Sequence, residues 1–529
     1  MDDSVPAVSI FSRITGSGRV VALIAASIVL ITVYPAAAQT PQPQDLDAVR
    51  KIAKQSRRLT RSESLDEAEK LLRATLVSNP SSGEIKTELS YVLAKRRKLR
   101  EAYDLAFSVC EADPKNSRAF ASLGYVLLSA GRFTEARPLF YASLKIDRHE
   151  HLAWAGLGML DFYENNVQES LENLRAAVYE APNEPDYLYT FAQVNARAEN
   201  YKQAADAYDQ FLNVSSATDA DRRARIRGLI AFLRYIGQKG GLYKAAGDRQ
   251  AVVNFELDGN RPVIAVKVNN DQRPLRFVLD TGSGITVISQ ETAKRLRVKS
   301  ITKGGFAKGI GGDGRFEIVY GFLRSIDIGA ASVRDVPVYI RKFHSEQGAV
   351  DGYIGLAMIS KFLTTIDYGN STFSLMRRDD PRAVADPASL ALPLRLTSSG
   401  FLSGQVQIEG IDPSLNFIVD TGASVSVISD TVAANQAMLP FASADRLRVI
   451  GSAGVTNDVP TFLLPKLTFG PHSQRQVQAI ALDLDIINES TGFEQAGILG
   501  GNFLRNYRLT FDFKNSMVNF TPVVPAIHR

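Results

Sequence analysis

Small and apolar residues recur every 34 positions through the first half of the chain. Ala68, Ala102, Ala136, Ser170 and Ala204 stand at that spacing. Twelve positions before the last four lie Ser90, Gly124, Gly158 and Ala192, each directly after Leu89, Leu123, Leu157 or Phe191. Small residues at a fixed phase let two helices approach closely, and Pro80, Pro114 and Pro182 close three units at one common phase. The period predicts stacked helical hairpins, with four full units from about Ser81 to Ser216. A partial unit precedes them and a capping helix runs through Ile236. From Ala251 the pattern changes to short alternating or apolar runs, such as VVNFEL, VIAVKV, RFVLD, ITVIS and FEIVYG. These are separated by Gly, Asn, Asp and Pro, which predicts strands.

The strand-rich half is a duplication. FVLDTGSGITVIS at 277–289 returns as FIVDTGASVSVIS at 417–429, with 140 positions between Asp280 and Asp420. At the same offset Gly309-Ile310-Gly311 falls on Val449-Ile450-Gly451. Further on, GYIGLAMISKFLTTIDY matches AGILGGNFLRNYRLTFDF at an offset of 145, so Gly355 meets Gly500 and Asp367 meets Asp512. The second copy therefore carries a net insertion of five residues, expected around LDIINESTGFEQ.

The 34-residue array resembles the tetratricopeptide repeat, whose period it shares. Such repeats stack into a curved solenoid, and the resemblance implies a protein or peptide partner on its concave face. Within the array Cys110 aligns with Leu76, Leu144, Val178 and Leu212 and reads as a small core residue. Trp154 aligns with Phe120 and Leu188 and reads as packing.

Composition narrows the function. The 61 basic and 56 acidic residues are interspersed without a long basic run, which gives nucleic-acid binding no footing. One cysteine and five scattered histidines exclude a disulfide framework and argue against a Cys/His zinc site. No cofactor or metal is expected. At the N-terminus, Arg13 and Arg19 precede the apolar run Val20–Tyr34, and Ala36-Ala37-Ala38 follows. That order predicts an export signal cleaved after Ala38, leaving no stable membrane span and a periplasmic or secreted protein. The alternative is an uncleaved anchor facing the periplasm. The expected domains are then a signal at 1–38, a linker and first helix at 39–60 and repeats at 61–236. A linker at 237–250, a first lobe at 251–377, a linker at 378–389, a second lobe at 390–523 and a tail at 524–529 complete the chain.

One Asp-Thr-Gly is a weak signal, and alone it reads as a turn in which the carboxylate bonds backbone N–H groups. Here each copy ends an apolar run and each is followed by an apolar-apolar-Gly, Tyr353-Ile354-Gly355 and Ile498-Leu499-Gly500. Residues 251–523 resemble two retropepsin-type aspartic protease units in tandem. The resemblance implies two β-barrel lobes forming a pepsin-like pseudo-dimer behind the α-solenoid, and an aspartic endopeptidase acting on polypeptides. It implies that Asp280 and Asp420 are the catalytic pair and that Thr281 and Thr421 lock the two loops together. Gly282 and Gly422 would turn the backbone under the carboxylates, and Gly355 and Gly500 would let the chain pass close behind. Gly309, Ile310, Gly311 and Gly312, with Ile450 and Gly451, would form the tips of two flap hairpins.

The chemistry needs no resemblance. Two carboxylates about 3 Å apart repel by roughly 5 kcal/mol at an effective dielectric near 20, so they share one proton over a wide pH range. The ionised group can take a proton from water while the protonated one donates to a peptide carbonyl. Ser283 in the first copy is replaced by Ala423 in the second. Ser283 is expected to favour ionised Asp280 and to broaden activity toward neutral pH. Asp367 and Asp512 read as structural. Gly309, Gly311 and Gly314 satisfy a dinucleotide-binding spacing, but the strand-like FEIVYG that follows predicts a hairpin instead. Two rivals stay open: a non-catalytic repeat scaffold whose protease-like lobes only bind peptide, and lobes that pair between chains.

Overall fold

The computed structural model describes residues 43–344, 350–382, 391–393 and 395–523, so the expected export signal lies outside the described residues. The repeats are helical hairpins: α1 (Pro43–Arg61), α2 (Leu65–Ser78), α3 (Gly83–Lys95), α4 (Leu99–Ala112), α5 (Ser117–Ser129) and α6 (Phe133–Ile146). They continue as α7 (His151–Tyr163), α8 (Val167–Glu180), α9 (Pro185–Arg197), α10 (Tyr201–Val214) and α11 (Ala220–Gly237). The unit expected to be partial is a full pair, α1 with α2. Among the described residues no helix is long and apolar enough to cross a membrane.

The small positions have a direct cause. A Cβ on Gly124 would lie 2.7 Å from the Phe140 ring, and one on Gly158 would lie 2.6 Å from Leu174. Phe140 and Leu174 are themselves one 34-residue period apart, so the same contact recurs. Where serine replaces the small carbon side chain it satisfies itself on the facing backbone: Ser90 donates to Ala102 O at 2.7 Å and Ser170 to Gly158 O at 2.6 Å. Cys110 is buried, and burial pushes its thiol up to about 12, which suits a core residue and not a nucleophile. Trp154 is anchored through its indole N–H to Arg148 O at 2.9 Å.

The described chain divides into two compact units. One holds residues up to Leu157 with Gly410–Ser414, and the other holds Gly158–Glu409 with Leu415 onward. In the second unit the first lobe comprises β1 (Lys244–Gly247), β2 (Gln250–Asp258), β3 (Arg261–Val268), β4 (Leu275–Leu279), β5 (Thr286–Ser289) and β6 (Ser300–Lys308). β7 (Arg315–Ile328), β8 (Ala331–Arg341), β9 (Gly352–Ile354), β10 (Phe362–Asp367) and β11 (Thr372–Arg377) complete it. The stretch 237–250 was expected to be a linker, yet β1 pairs antiparallel with β8 from Lys244↔Arg334 to Gly247↔Ala331. Its Gly-rich composition hid a strand that only its tertiary partner defines.

The second lobe follows as β12 (Ala391–Pro393), β13 (Arg395–Leu396), β14 (Leu402–Ile408), β15 (Ile411–Val419) and β16 (Ser426–Ser429). β17 (Ala442–Ile450), β18 (Val455–Phe469), β19 (His472–Leu482), β20 (Gly497–Leu499), β21 (Tyr507–Asp512) and β22 (Met517–Pro522) complete it. Its last strands leave the lobe's own sheet. β21 pairs with β10, Thr364↔Phe511 to Asp367↔Arg508, so one sheet runs β12-β22-β21-β10-β11-β2 beneath both lobes and pairs them within a single chain. Asp367 and Asp512 sit at the two hairpin turns of this sheet. Each carboxylate accepts the N–H groups two and three residues on, at 3.0 to 3.2 Å, which gives both a structural role.

The later helices are bolted to the lobes of the same unit. On α11, Phe232 stacks on Tyr320 of β7 with ring centroids 4.5 Å apart. Arg225 donates to Phe306 O at 2.9 Å, and a Cβ on Gly228 would meet Lys303 O at 2.3 Å. The inserted segment of the second lobe forms a short helix, Asp485–Thr491, and then presents Phe493, whose ring lies 5.1 Å from that of Tyr163. Arg197, partly buried against the Phe162 ring, donates to Thr397 O at 3.0 Å. Phe232→Ala is expected to destabilise the second unit by about 3–5 kcal/mol, because a buried ring and its stacking partner are lost together. Urea unfolding followed by tyrosine fluorescence checks this; a midpoint equal to wild type would show that α11 packs too loosely to matter.

Candidate active site

Each Asp stands where three strands converge. In the first lobe β4 runs parallel to β9 (Phe277↔Gly352) while β5 runs antiparallel to it (Val287↔Tyr353). In the second, β15 runs parallel to β20 (Phe417↔Gly497) and β16 antiparallel (Val427↔Ile498). The apolar strands end abruptly at Asp, and the backbone N–H of Asp280 donates to Ile354 O and that of Asp420 to Leu499 O, both at 3.0 Å. The loop must then turn beneath the strand it has just paired with. There the glycine after Ile354 or Leu499 becomes obligatory: a Cβ on Gly355 would lie 2.6 Å from Ile285 C, and one on Gly500 2.6 Å from Val425 C. Both contacts are to backbone, which cannot yield.

The two loops grip each other across the lobes. Thr281 Oγ1 donates to Val419 O at 2.7 Å and accepts the N–H of Thr421 at 3.0 Å. Thr421 Oγ1 donates to Leu279 O at 2.7 Å and accepts the N–H of Thr281 at 3.1 Å. Both threonines are fully buried, so every donor and acceptor of this four-bond lock is satisfied inside the protein. The lock sets the carboxyls of Asp280 and Asp420 side by side, close enough that each alters the ionisation of the other. Gly282 N–H donates to Asp280 Oδ1 at 2.9 Å and Gly422 N–H to Asp420 Oδ1 at 2.7 Å. Each glycine also faces the opposite carboxyl: a Cβ on Gly282 would lie 2.3 Å from Asp420 Cγ, and one on Gly422 2.6 Å from Asp280 Oδ1.

The symmetry is broken in the electrostatics. Asp420 is held well above the usual carboxylate range, by burial first and then by the charge of Asp280 beside it. Burial also raises Asp280, but the hydroxyl of Ser283 donates to its Oδ2 at 2.7 Å, and the contacts of Asp420, Gly282 and Arg341 oppose the rise as well. Ala423 offers no such hydroxyl. The pair thus divides into a group that ionises first and one that keeps its proton. Because Ser283 lowers the first ionisation, it sets the acidic edge of the one-proton form, not the neutral edge expected above. Ser283→Ala should shift the acid limb of any pH–rate profile to higher pH and leave the alkaline limb in place. A profile with an unmoved acid limb would remove Ser283 from the account.

The Gly-rich stretches lie at hairpin tips. β6 and β7 flank Gly309–Gly312, and β17 and β18 flank the turn after Ile450, so the dinucleotide-like spacing is a hairpin. The tips are linked: Ala453 N–H donates to Ile310 O at 2.8 Å and Gly312 N–H to Val455 O at 3.3 Å. Gly311, at φ +91°, has no room for a Cβ, which would stand 2.3 Å from Gly454 O. Ile310 packs into the second lobe with Ile418, Val427 and Ile498, whereas its counterpart Ile450 stays exposed. Sequence reasoning missed Thr286 and Ser426, one Asp-to-Asp offset apart. Ser426 Oγ accepts the N–H of Gly500 at 3.1 Å while donating to Asn502 Oδ1 at 2.8 Å, and so fixes the chain behind Asp420. Their common offset of 140 was the available signal.

Two segments, residues 264–358 and 404–503, match the aspartyl protease family. They bracket the two aspartates and both hairpins. Residues 106–151 match the tetratricopeptide repeat family. Among solved structures, the aspartic proteinase of Irpex lacteus aligns with 53% of this chain and 99% of its own, at 14% identity and a TM-score of 0.37. A thermophilic tetratricopeptide-repeat protein of Thermus thermophilus aligns with 34% of this chain and 98% of its own, at 14% identity and a TM-score of 0.30. No curated protein matches the chain. The family matches fall on the two duplicated strand-rich segments and on part of the 34-residue array, where the aspartyl protease and tetratricopeptide resemblances were expected.

Proposed function

We propose that the β-rich half is an aspartic endopeptidase whose pair, Asp280 and Asp420, shares one proton. The observation that carries this reading is the side-by-side placement of the two carboxyls beneath the threonine lock, with unequal environments. Ionised Asp280 takes a proton from a water molecule as the water adds to the peptide carbonyl carbon. Protonated Asp420 gives its proton to the carbonyl oxygen, producing a neutral gem-diol. The gem-diol then collapses: one carboxylate takes a hydroxyl proton, the other acid protonates the departing nitrogen, and the C–N bond breaks. Ile310 and the linked hairpin tips close over the substrate, while Thr281, Thr421, Gly355 and Gly500 hold the two carboxyls in register. The reaction is written with these side chains and water alone.

The repeats would recruit a polypeptide substrate or a partner protein, and the hydrophobic N-terminal segment would export the chain to the periplasm or beyond. Digestion of casein and of a peptide library at several pH values, with Asp280→Asn and Asp420→Asn as controls, tests the proposal. Cleavage lost in both variants supports it. Peptide binding without cleavage by wild type would favour the scaffold reading.

A further inference from the structure

The two halves of the site are copies, yet they differ sharply at one register position. β5 ends on Ser289, which pairs with Arg341; β16 ends on Ser429, which pairs with Leu482. A second difference lies beside it, since Tyr353 of β9 corresponds to Ile498 of β20 at the offset of 145. The consequence is two unlike walls. On the second-lobe side, Ile418, Val427 and Ile498 pack with Ile310, Ala423 and Leu482 in one wholly apolar cluster. On the first-lobe side, Val263 and Val278 pack with Phe343 and Tyr353, and the neighbouring strand end carries the guanidinium of Arg341.

That guanidinium is unusually placed. Arg341 lies over the Phe316 ring at 4.5 Å from its centroid, so the tip end of the β6–β7 hairpin covers it from one side. Its Nε is buried and has no hydrogen-bond partner among the described residues. Its charge reaches both Tyr353 and Asp280. A buried donor left unpaired is unfavourable, and a guanidinium offers a planar fork that fits a carboxylate. Among the described residues Arg341 makes no ion pair, whereas Arg295 meets Asp351 at 2.7 Å.

We infer that Arg341 makes the first-lobe side of the cleft selective for a substrate residue with a carboxylate side chain, opposite an apolar residue held by the second lobe. This rests on the peptidase reading above. The test uses N-acetylated, C-amidated peptides of one sequence, with an apolar residue on one side of the scissile bond and Glu, Gln or Leu on the other, in both orders. In one order wild type should prefer Glu over Gln by about tenfold or more in kcat/KM. Arg341→Leu, which installs the second lobe's residue, should bring that ratio near one, and Arg341→Lys should retain part of it. A wild-type ratio near one, or a ratio unchanged in Arg341→Leu, overturns the inference. So does an equal shift of the pH profile for all peptides at an unchanged ratio, since Arg341 would then act only on Asp280. If no peptide is cleaved, the same peptides bearing a fluorophore are titrated by anisotropy. Tighter binding of the Glu peptide that disappears in Arg341→Leu would support the inference although the peptidase reading had failed; equal binding would overturn it.

Discussion

Asp280→Asn and Asp420→Asn should each lower kcat/KM for peptide cleavage by roughly 10⁴-fold while leaving the fold intact. The size follows from the division of labour. With a neutral amide at 280 nothing accepts the proton of the attacking water, and with an amide at 420 the carbonyl oxygen loses its acid. The fold survives because an amide oxygen can still accept the Gly282 or Gly422 N–H that each Oδ1 now accepts, at 2.9 and 2.7 Å. The two losses should not add in the double variant, since neither group works without the other. Steady-state kinetics beside far-UV circular dichroism reads both. Substantial activity in either single variant would mean that the pair does not act as a unit.

Gly500→Ala should destabilise the second unit by roughly 3 kcal/mol or more and reduce cleavage about 10²-fold even where the protein stays folded. The new methyl would stand 2.6 Å from both the carbonyl carbon and the oxygen of Val425. No side chain can move aside, so the backbone behind Asp420 must shift. That backbone also carries the bond from Gly501 N–H to Ala423 O at 2.7 Å, and a displaced Ala423 drags the carboxyl with it. Denaturant midpoints and kcat/KM measured at low temperature separate the two effects. Unchanged values for both would show that the close passage behind the loop is not required.

Much of this arrangement is legible in residue spacing. The 34-residue period marks where helices touch, because Gly124 and Gly158 are small for a reason that repeats with Phe140 and Leu174. The duplicated Asp-Thr-Gly foretells its own partner, because a lock made of two identical loops needs two identical threonines. Other features need three dimensions. The strand Lys244–Gly247 is set by its pairing with β8 and by the Lys244–Asp335 ion pair at 2.9 Å, neither of which leaves a periodic trace. The segment through Ile236 reads only as a capping helix, and nothing in its sequence says that Phe232 and Tyr235 lie against Tyr320 and Phe322 of β7. Arg341 looks like one more charge after a strand until Ser289 and Ser429 align it with Leu482.

The acid limb of Ser283→Ala presupposes the shared proton. It can be observed without substrate. Protein labelled with ¹³C at the aspartate carboxyl is titrated by NMR, with the signals of residues 280 and 420 identified by their loss in the asparagine variants. The account predicts two coupled steps, with one carboxyl still protonated well above the range of an ordinary aspartate and returning to that range when its neighbour becomes asparagine. Two independent titrations within the ordinary range, unaffected by either substitution, would contradict it.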